Sequence, residues 1–366
     1  MKVIVSGGGT GGHINPAIAI AKCIKEKEPD SEILYVGTRK GLETKLVPAQ
    51  NIDIEYINVE GFIRKFSFKN AYICFKAAKA IFDGKKILER FKPDIVIGTG
   101  GYVCGPLLYA AHKLKMPTII HEQNVFPGVT VKLLSDTVDV VATSFSTTAN
   151  YLKKHKKIVL TGNPVRADLL AVSPYTARIK LNIDDKPLVL AMGGSLGAPS
   201  INNALYDIVC EGLAKDYNIL ASTGEAHYEE LMERIKQKVD KIPENIRIMP
   251  YIYNTELAFA ASDLIVCRTG AVTVSELAAS GKPSIVVPSP FVAHNHQVYN
   301  AKYLSDKGAA ILIEENELTG SKLHETIEDI IHDKEKLTEM GKKAKSAAIS
   351  DATEAIYKCA KQLIER

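Results

Sequence analysis

No apolar run in these 366 residues approaches the roughly 20 needed to cross a bilayer. The opening MKVIV carries neither a basic n-region nor a small-residue cleavage site, so no secretory leader is expected. Cysteine is sparse: Cys23, Cys74, Cys104, Cys210, Cys267 and Cys359 are scattered, with no C-x-x-C pair. Reduced, mostly buried thiols in a cytosolic setting are therefore expected, rather than a disulfide framework or a zinc site. Low-complexity segments are absent. Net charge is small at +4, but it is unevenly spread. Residues 1–162 hold 23 Lys/Arg against 14 Asp/Glu, and the remainder hold 23 against 28. A basic first half suits nucleic acid, an anionic membrane surface or a phosphorylated substrate.

What is present is ordinary globular material, 46% apolar and 24% charged, enough for two domains with their own cores. Short β-branched runs (KVIV at 2–5, ILYV at 33–36, IVI at 95–97, TII at 118–120, DVVA at 139–142, IVL at 158–160) alternate with segments of helical periodicity such as 14–27. The plan restarts at KPLVLAMGGSLGAPSINNAL (186–205), with further strands at 218–221, 246–249, 263–267, 284–287 and 310–313. Alternation of this kind predicts an α/β chain with two doubly wound parallel sheets. The join is placed near TGNPVRADLL (161–170), where Gly and Pro follow a strand. The expected domains are residues 1–163, with the helix at about 351–366 returning to it, and residues 164–350. Ligands of such sheets bind at the carboxyl ends of the strands, so a cleft between facing domains is the expected active site.

SGGGTGGH (6–13) fits the dinucleotide fingerprint G-x-G-x-x-G. That fingerprint needs a ribose carboxylate after the second strand, and here ILYV runs into Gly37, Thr38 and Arg39. A nicotinamide site is therefore not favoured. The glycines instead permit close approach of an oxygen-rich or anionic group to a helix N-terminus. That helix is expected to begin near Asn15 and Pro16. His13 reads as a general base or as a neutral imidazole bonded to backbone. GTGGYVCGP (98–106) places Tyr102 at the same edge, and HEQN (121–124) brings Glu122 and Asn124 there. Glu122 reads as a base, an orienter or the partner of a structural cation.

In the second half, GGSLGA (193–198) reads as a diphosphate cradle that includes Ser195, or as a bare strand-to-helix turn. CRTGAVTVSELAASGKPSIVVP (267–288) predicts strand, turn and a helix over Ala271–Ala279, stopped by Gly281 and Pro283. Glu276, in its second turn, reads as a ribose acceptor or as a surface cap. HNHQVYNA (294–301) crowds hydrogen-bonding groups suited to sugar hydroxyls. A metal there is disfavoured, because His294 and His296 have no carboxylate or thiolate close by. The stretch 61–92 has nine Lys/Arg and two Asp/Glu interleaved with aromatics. It suits an anionic membrane surface, and no nucleic-acid motif accompanies it.

Taken together, GGGTGGH, GTGGYVCGP, HEQN, GNPVR, GGSLGA, RTGAVTVSELAASGKP and HNHQVYNA occur in the order and spacing of the MurG family, which the chain resembles over nearly its whole length. The resemblance implies a GT-B fold and an inverting transfer, without a cofactor or metal. N-acetylglucosamine would pass from UDP-N-acetylglucosamine to the C4 hydroxyl of undecaprenyl-pyrophosphoryl-N-acetylmuramoyl-pentapeptide, at the cytoplasmic face of the bacterial cell membrane. It implies acceptor handling by the first domain and donor handling mainly by the second. Thr10, Gly11 and Gly12 would line the sugar-nucleotide and acceptor cleft with Asn124, and Tyr102, near the same edge, would also bind substrate. Arg166, Ser195, Ile252, Ala271, Val272, Thr273, Val274, Ser275, Glu276 and Gln297 would hold the donor. His13 is the first candidate base and Glu122 the second. The membrane would be met through Phe62, Ile63, Arg64, Lys65, Phe66, Phe68 and Lys69, with other cell-wall synthesis proteins as further partners. Where some members carry paired glutamines, this chain has His296 and Gln297.

Overall fold

The computed structural model describes residues 1–60, 69–194 and 196–365, without the side chains of 69–75. It divides into two compact units, residues 1–164 with 349–366, and residues 165–348. Seven parallel strands build the first sheet: β1 Lys2–Ser6, β2 Glu32–Gly37, β3 Asp53–Tyr56, β4 Ile95–Gly98, β5 Thr118–Glu122, β6 Val140–Thr143 and β7 Ile158–Leu160. Their order is β3-β2-β1-β4-β5-β6-β7. Both faces are buried, as the β-branched runs require. Ile4, Leu34, Val36, Val96, Ile120 and Val141 enter one core, while Val3, Val5, Tyr35, Ile95, Ile97 and Ile119 enter the other. The helix Ala352–Ile364 adds Ile356, Cys359, Ala360 and Leu363 to that second core. Its Tyr357 Oη and Lys361 Nζ reach Glu28 at 3.0 and 2.8 Å.

The second sheet has six parallel strands: β8 Leu188–Met192, β9 Asn218–Ser222, β10 Ile246–Met249, β11 Leu264–Cys267, β12 Ser284–Val286 and β13 Ala310–Leu312. The order β10-β9-β8-β11-β12-β13 repeats the first plan. In each unit the strand order reverses beside the first strand, between β1 and β4 and between β8 and β11. A doubly wound sheet opens its ligand crevice at such a point.

Two local expectations are corrected. The first helix runs from Gly11 to Lys27, with Thr10 as its N-cap, and Pro16 lies inside it. His13 N and Ile14 N both bond Thr10 O, at 3.0 and 3.1 Å, so the turn closes before Pro16 is reached. The strand Asp53–Tyr56 was not expected. It is a sheet edge, only partly buried, and its DIEY sequence lacks the continuous apolar run of the central strands.

Candidate functional site

Register sets the first site. Ser6 aligns with Val36 and with Gly98, so the chain leaves β1, β2 and β4 at one edge. The loops after β1 and β4 then pack against each other with no room for side chains. A Cβ on Gly7 would lie 2.3 Å from Thr99 Oγ1, and one on Gly101 would lie 2.4 Å from Gly8 O. Gly9, Gly100 and Gly101 also hold φ of +88°, +101° and +79°. Thr10 and Gly12 are exposed and Gly11 half-buried at the start of the helix. Tyr102 is 36% exposed in the first turn of the helix Gly101–Lys113.

His13 Nδ1 lies 3.0 Å from Thr99 O and 3.0 Å from Gln123 Oε1. Both partners are acceptors, so Nδ1 carries a proton, and in the neutral form of the ring the lone pair is on Nε2. Glu122 is buried, and both its oxygens are engaged. Oε1 accepts from Asn124 N at 2.8 Å and Asn124 Nδ2 at 3.2 Å, and Oε2 accepts from Gly128 N at 2.7 Å. Burial raises the pKa of its carboxyl, opposed by those backbone bonds and by His13. The carboxylate therefore orders the 124–128 loop. His121, wholly buried, is held down to about 4 by desolvation and is neutral.

In the second unit a cavity of about 160 Å³ opens at the carboxyl edge of the sheet. Register again explains it: Met192 aligns with Ser222 and with Cys267, and all three line the cavity. Gly194 stands on its wall, and a Cβ there would meet nothing within 4 Å. Opposite stands the helix Ala271–Ser280, capped by Gly270. Its C-terminus closes as a Schellman motif, with Lys282 N on Leu277 O and Gly281 N on Ala278 O at φ +64°.

Glu276 is 8% exposed and lines this cavity, which removes the surface-cap reading. Its Oε1 accepts from Arg166 Nε at 3.1 Å, and Arg166 Nη1 donates to Thr255 Oγ1 at 2.9 Å. Desolvation pushes the Glu276 carboxyl up and Arg166 pulls it back. Cys267 beside it is pushed up to about 12 by burial, so it is a neutral thiol. The neighbouring Arg268 is committed elsewhere, paired with Glu315 and donating to Ser200 Oγ at 3.1 Å.

The cavity thus gathers Arg166, Ile252, Thr273 and Glu276 of the expected donor residues. Val274 is fully buried in the core and Ala271 8% exposed. Val272 and Ser275 are half-buried, and Ser275 Oγ donates to Ala271 O at 3.0 Å. Gln297 does not line the cavity. Its Oε1 accepts from Ser289 N at 2.8 Å, and its backbone O accepts from Thr269 Oγ1 at 2.8 Å. Ser195 lies outside the described residues, as do Phe62, Ile63, Arg64, Lys65, Phe66 and Phe68 and the side chain of Lys69. Sequence reading missed Tyr251 and Thr255, which also line the cavity. Thr255 stands 89 residues from its partner Arg166, a pairing no local pattern announces. Among the described residues, no group of three or more His, Cys, Asp or Glu is placed to hold a metal ion.

Comparison with known proteins covers both units. Residues 3–143 match the glycosyltransferase family 28 N-terminal domain, and residues 188–356 the C-terminal domain of the same family. A protein of Acetivibrio thermocellus is 49% identical over all of this chain and 99% of its own. It is named UDP-N-acetylglucosamine--N-acetylmuramyl-(pentapeptide) pyrophosphoryl-undecaprenol N-acetylglucosamine transferase. A protein of the same name from Ruminiclostridium cellulolyticum is 46% identical over the full length of both. The crystal structure of Acinetobacter baumannii MurG superposes with a TM-score of 0.81 at 32% identity, covering 99% of each chain.

Proposed function

The chain belongs to glycosyltransferase family 28, and on that premise we propose how it works. It transfers N-acetylglucosamine from UDP-N-acetylglucosamine to undecaprenyl-pyrophosphoryl-N-acetylmuramoyl-pentapeptide, a step of peptidoglycan synthesis. Full-length relatives at 43–49% identity carry that activity in their names. The observation that carries the reading at the level of residues is the cavity with Glu276 on its wall, oriented by Arg166. A carboxylate so held can accept both hydroxyls of the donor's ribose, while Ile252 meets the uracil through its backbone and the first turn from Ala271 meets the diphosphate. Ser195 joins the diphosphate, and Gln297 contacts the sugar.

His13 takes the proton. The acceptor C4 hydroxyl gives its proton to His13 Nε2, and its oxygen bonds the anomeric carbon as the bond to UDP breaks. Attack from the face opposite UDP inverts the centre. His13 is preferred to Glu122 because the Glu122 oxygens already accept three hydrogen bonds. Thr10, Gly11, Gly12, Tyr102 and Asn124 border the acceptor. Oxygen-charge growth on the departing diphosphate is met by helix amides.

Membrane attachment follows the basic, aromatic stretch. Phe62, Ile63, Arg64, Lys65, Phe66, Phe68 and Lys69 are its proposed contacts, at the cytoplasmic face. Phe82, 57% exposed on the helix Lys69–Phe91, carries Lys86 over its ring at 4.5 Å. That pairing suits an interface of apolar chains and anionic headgroups. Among the described residues no helix is long and apolar enough to cross a membrane.

The test is UDP release from UDP-N-acetylglucosamine, with and without an undecaprenyl-linked acceptor. Acceptor-dependent release of UDP with formation of a disaccharide supports the reading. Acceptor-independent turnover of the sugar overturns it.

A further inference from the structure

A buried polar chain runs through the first unit behind His13. Gln123 is 2% and His121 0% exposed. Gln123 Nε2 donates to Thr99 O at 2.8 Å and lies 2.9 Å from His121 Nδ1 and 3.2 Å from His121 O. Reversing the amide would set its oxygen against two carbonyl oxygens, so the orientation is fixed and Oε1 must face His13 Nδ1. His121 is fixed in its turn. Its Nε2 meets Gly162 O at 2.9 Å and therefore holds the proton, which leaves Nδ1 to accept from Gln123. Asn163 Nδ2 anchors the Gln123 backbone at 3.0 Å, and Ser144 Oγ donates to Asn163 Oδ1 at 2.7 Å. The Gln123 amide and the His121 ring thus have one consistent proton assignment, and the chain ends at His13.

We propose that Gln123 is the positioning residue of His13: its amide, whose Nε2 donates to Thr99 O and His121, turns Oε1 to His13 Nδ1, keeps Nδ1 protonated and leaves Nε2 with the lone pair. Thr99 O alone also contacts Nδ1, but a backbone carbonyl at a loop exit does not limit ring rotation by itself. The second acceptor fixes the ring plane. The same arrangement explains Gly100, where a Cβ would lie 2.7 Å from His13 Nδ1. The ring is thus seated between a glycine and a buried amide. This inference rests on the reading of His13 as the proton acceptor, and the experiment separates the two.

Ring-¹⁵N histidine spectra of the full chain are recorded at pH 8, with the His13 signals assigned through His13→Gln. The expected wild-type result is one tautomer, protonated at Nδ1. In Gln123→Met the two nitrogens average as both tautomers populate. The kcat falls about 10- to 100-fold, part of the roughly 10²- to 10⁴-fold that a placed general base supplies, while KM for donor and acceptor stays within about threefold. Gln123→Glu, protonated in this buried site, keeps an acceptor toward Nδ1 and restores most of the tautomer order. The calorimetric transition of the first unit, to which Gln123 and His13 belong, reports folding in every variant. If Gln123→Met fails that check, Gln123→Asn, one methylene short of Nδ1, takes its place. A His13 spectrum unchanged in the variant that folds overturns the proposal. Tautomer mixing with unchanged kcat supports the positioning and defeats His13 as base. Full turnover by His13→Gln would defeat that base independently.

Discussion

Two buried ionisable residues carry opposite pH signatures. His121 is held down to about 4 from an ordinary 6.5 by burial, so the folded state favours its neutral form. Its contribution is complete above pH 6.5 and is lost as pH falls through 4. The gap corresponds to about 3 kcal/mol. The melting temperature of the first unit is expected to drop across that window, and His121→Asn to flatten the drop. Glu276 behaves in the opposite sense. Its folded value is raised by burial, so its contribution to stability is present at acid pH and lost as pH rises through that value. Donor binding needs the ionised form, so UDP affinity measured by calorimetry should weaken on acidification sooner than an exposed carboxylate would predict. Glu276→Gln is expected to raise the donor KM about 10- to 100-fold, the worth of a charge-assisted hydrogen bond at roughly 1.5–3 kcal/mol, with acceptor KM little changed. Glu276 was legible in the sequence because it sits at a fixed place after a strand, a glycine turn and a helix start. Its partner Arg166 was legible only as part of GNPVR. That the two meet, and that Thr255 receives the other end of the guanidinium, depends on chain segments 89 to 110 residues apart.

At the scale of elements, the glycines divide by cause. Gly194 has φ +85° and open space around its Cβ position, whereas Gly7 has a backbone oxygen 2.6 Å from that position and a hydroxyl nearer still. Gly194→Ala should therefore cost about 1–2 kcal/mol of backbone strain without moving the wall of the cavity. Gly7→Ala should force the β1 and β4 loops apart and lower kcat far more than it lowers the melting temperature. Equal losses in both variants would show that the loops are not sterically interlocked. Glycine identity was readable in sequence for both loops, but the division between strain and crowding was not, because it depends on which loop faces which. The early start of the first helix has the same origin. Local rules favour Pro16 in a first turn, yet Thr10 O captures two amides ahead of it. The edge strand Asp53–Tyr56 was invisible for a different reason: a strand with one neighbour needs no continuous apolar run.

The first unit is completed by residues from the far end of the chain. Ile356, in the helix Ala352–Ile364, is fully buried in the core shared with Ile14, Ile20 and Val5. Ile356→Ala is expected to cost about 2–5 kcal/mol and to lower the transition of the first unit in a calorimetric scan. The transition that UDP shifts should stay where it is. A shift of both by the same amount would mean that the units melt as one. Sequence by itself determined two doubly wound sheets, their strands other than the edge strand Asp53–Tyr56, and the glycine loops at the strand ends. These follow from alternating apolar periodicity and from backbone conformations open to few other residues, and both are local properties. Tertiary structure alone decided the contacts that make sites of those loops: Gln123 behind His13 and Arg166 on Glu276. Each joins side chains whose meeting is set by strand register and helix packing, and nothing in the neighbouring sequence encodes that distance.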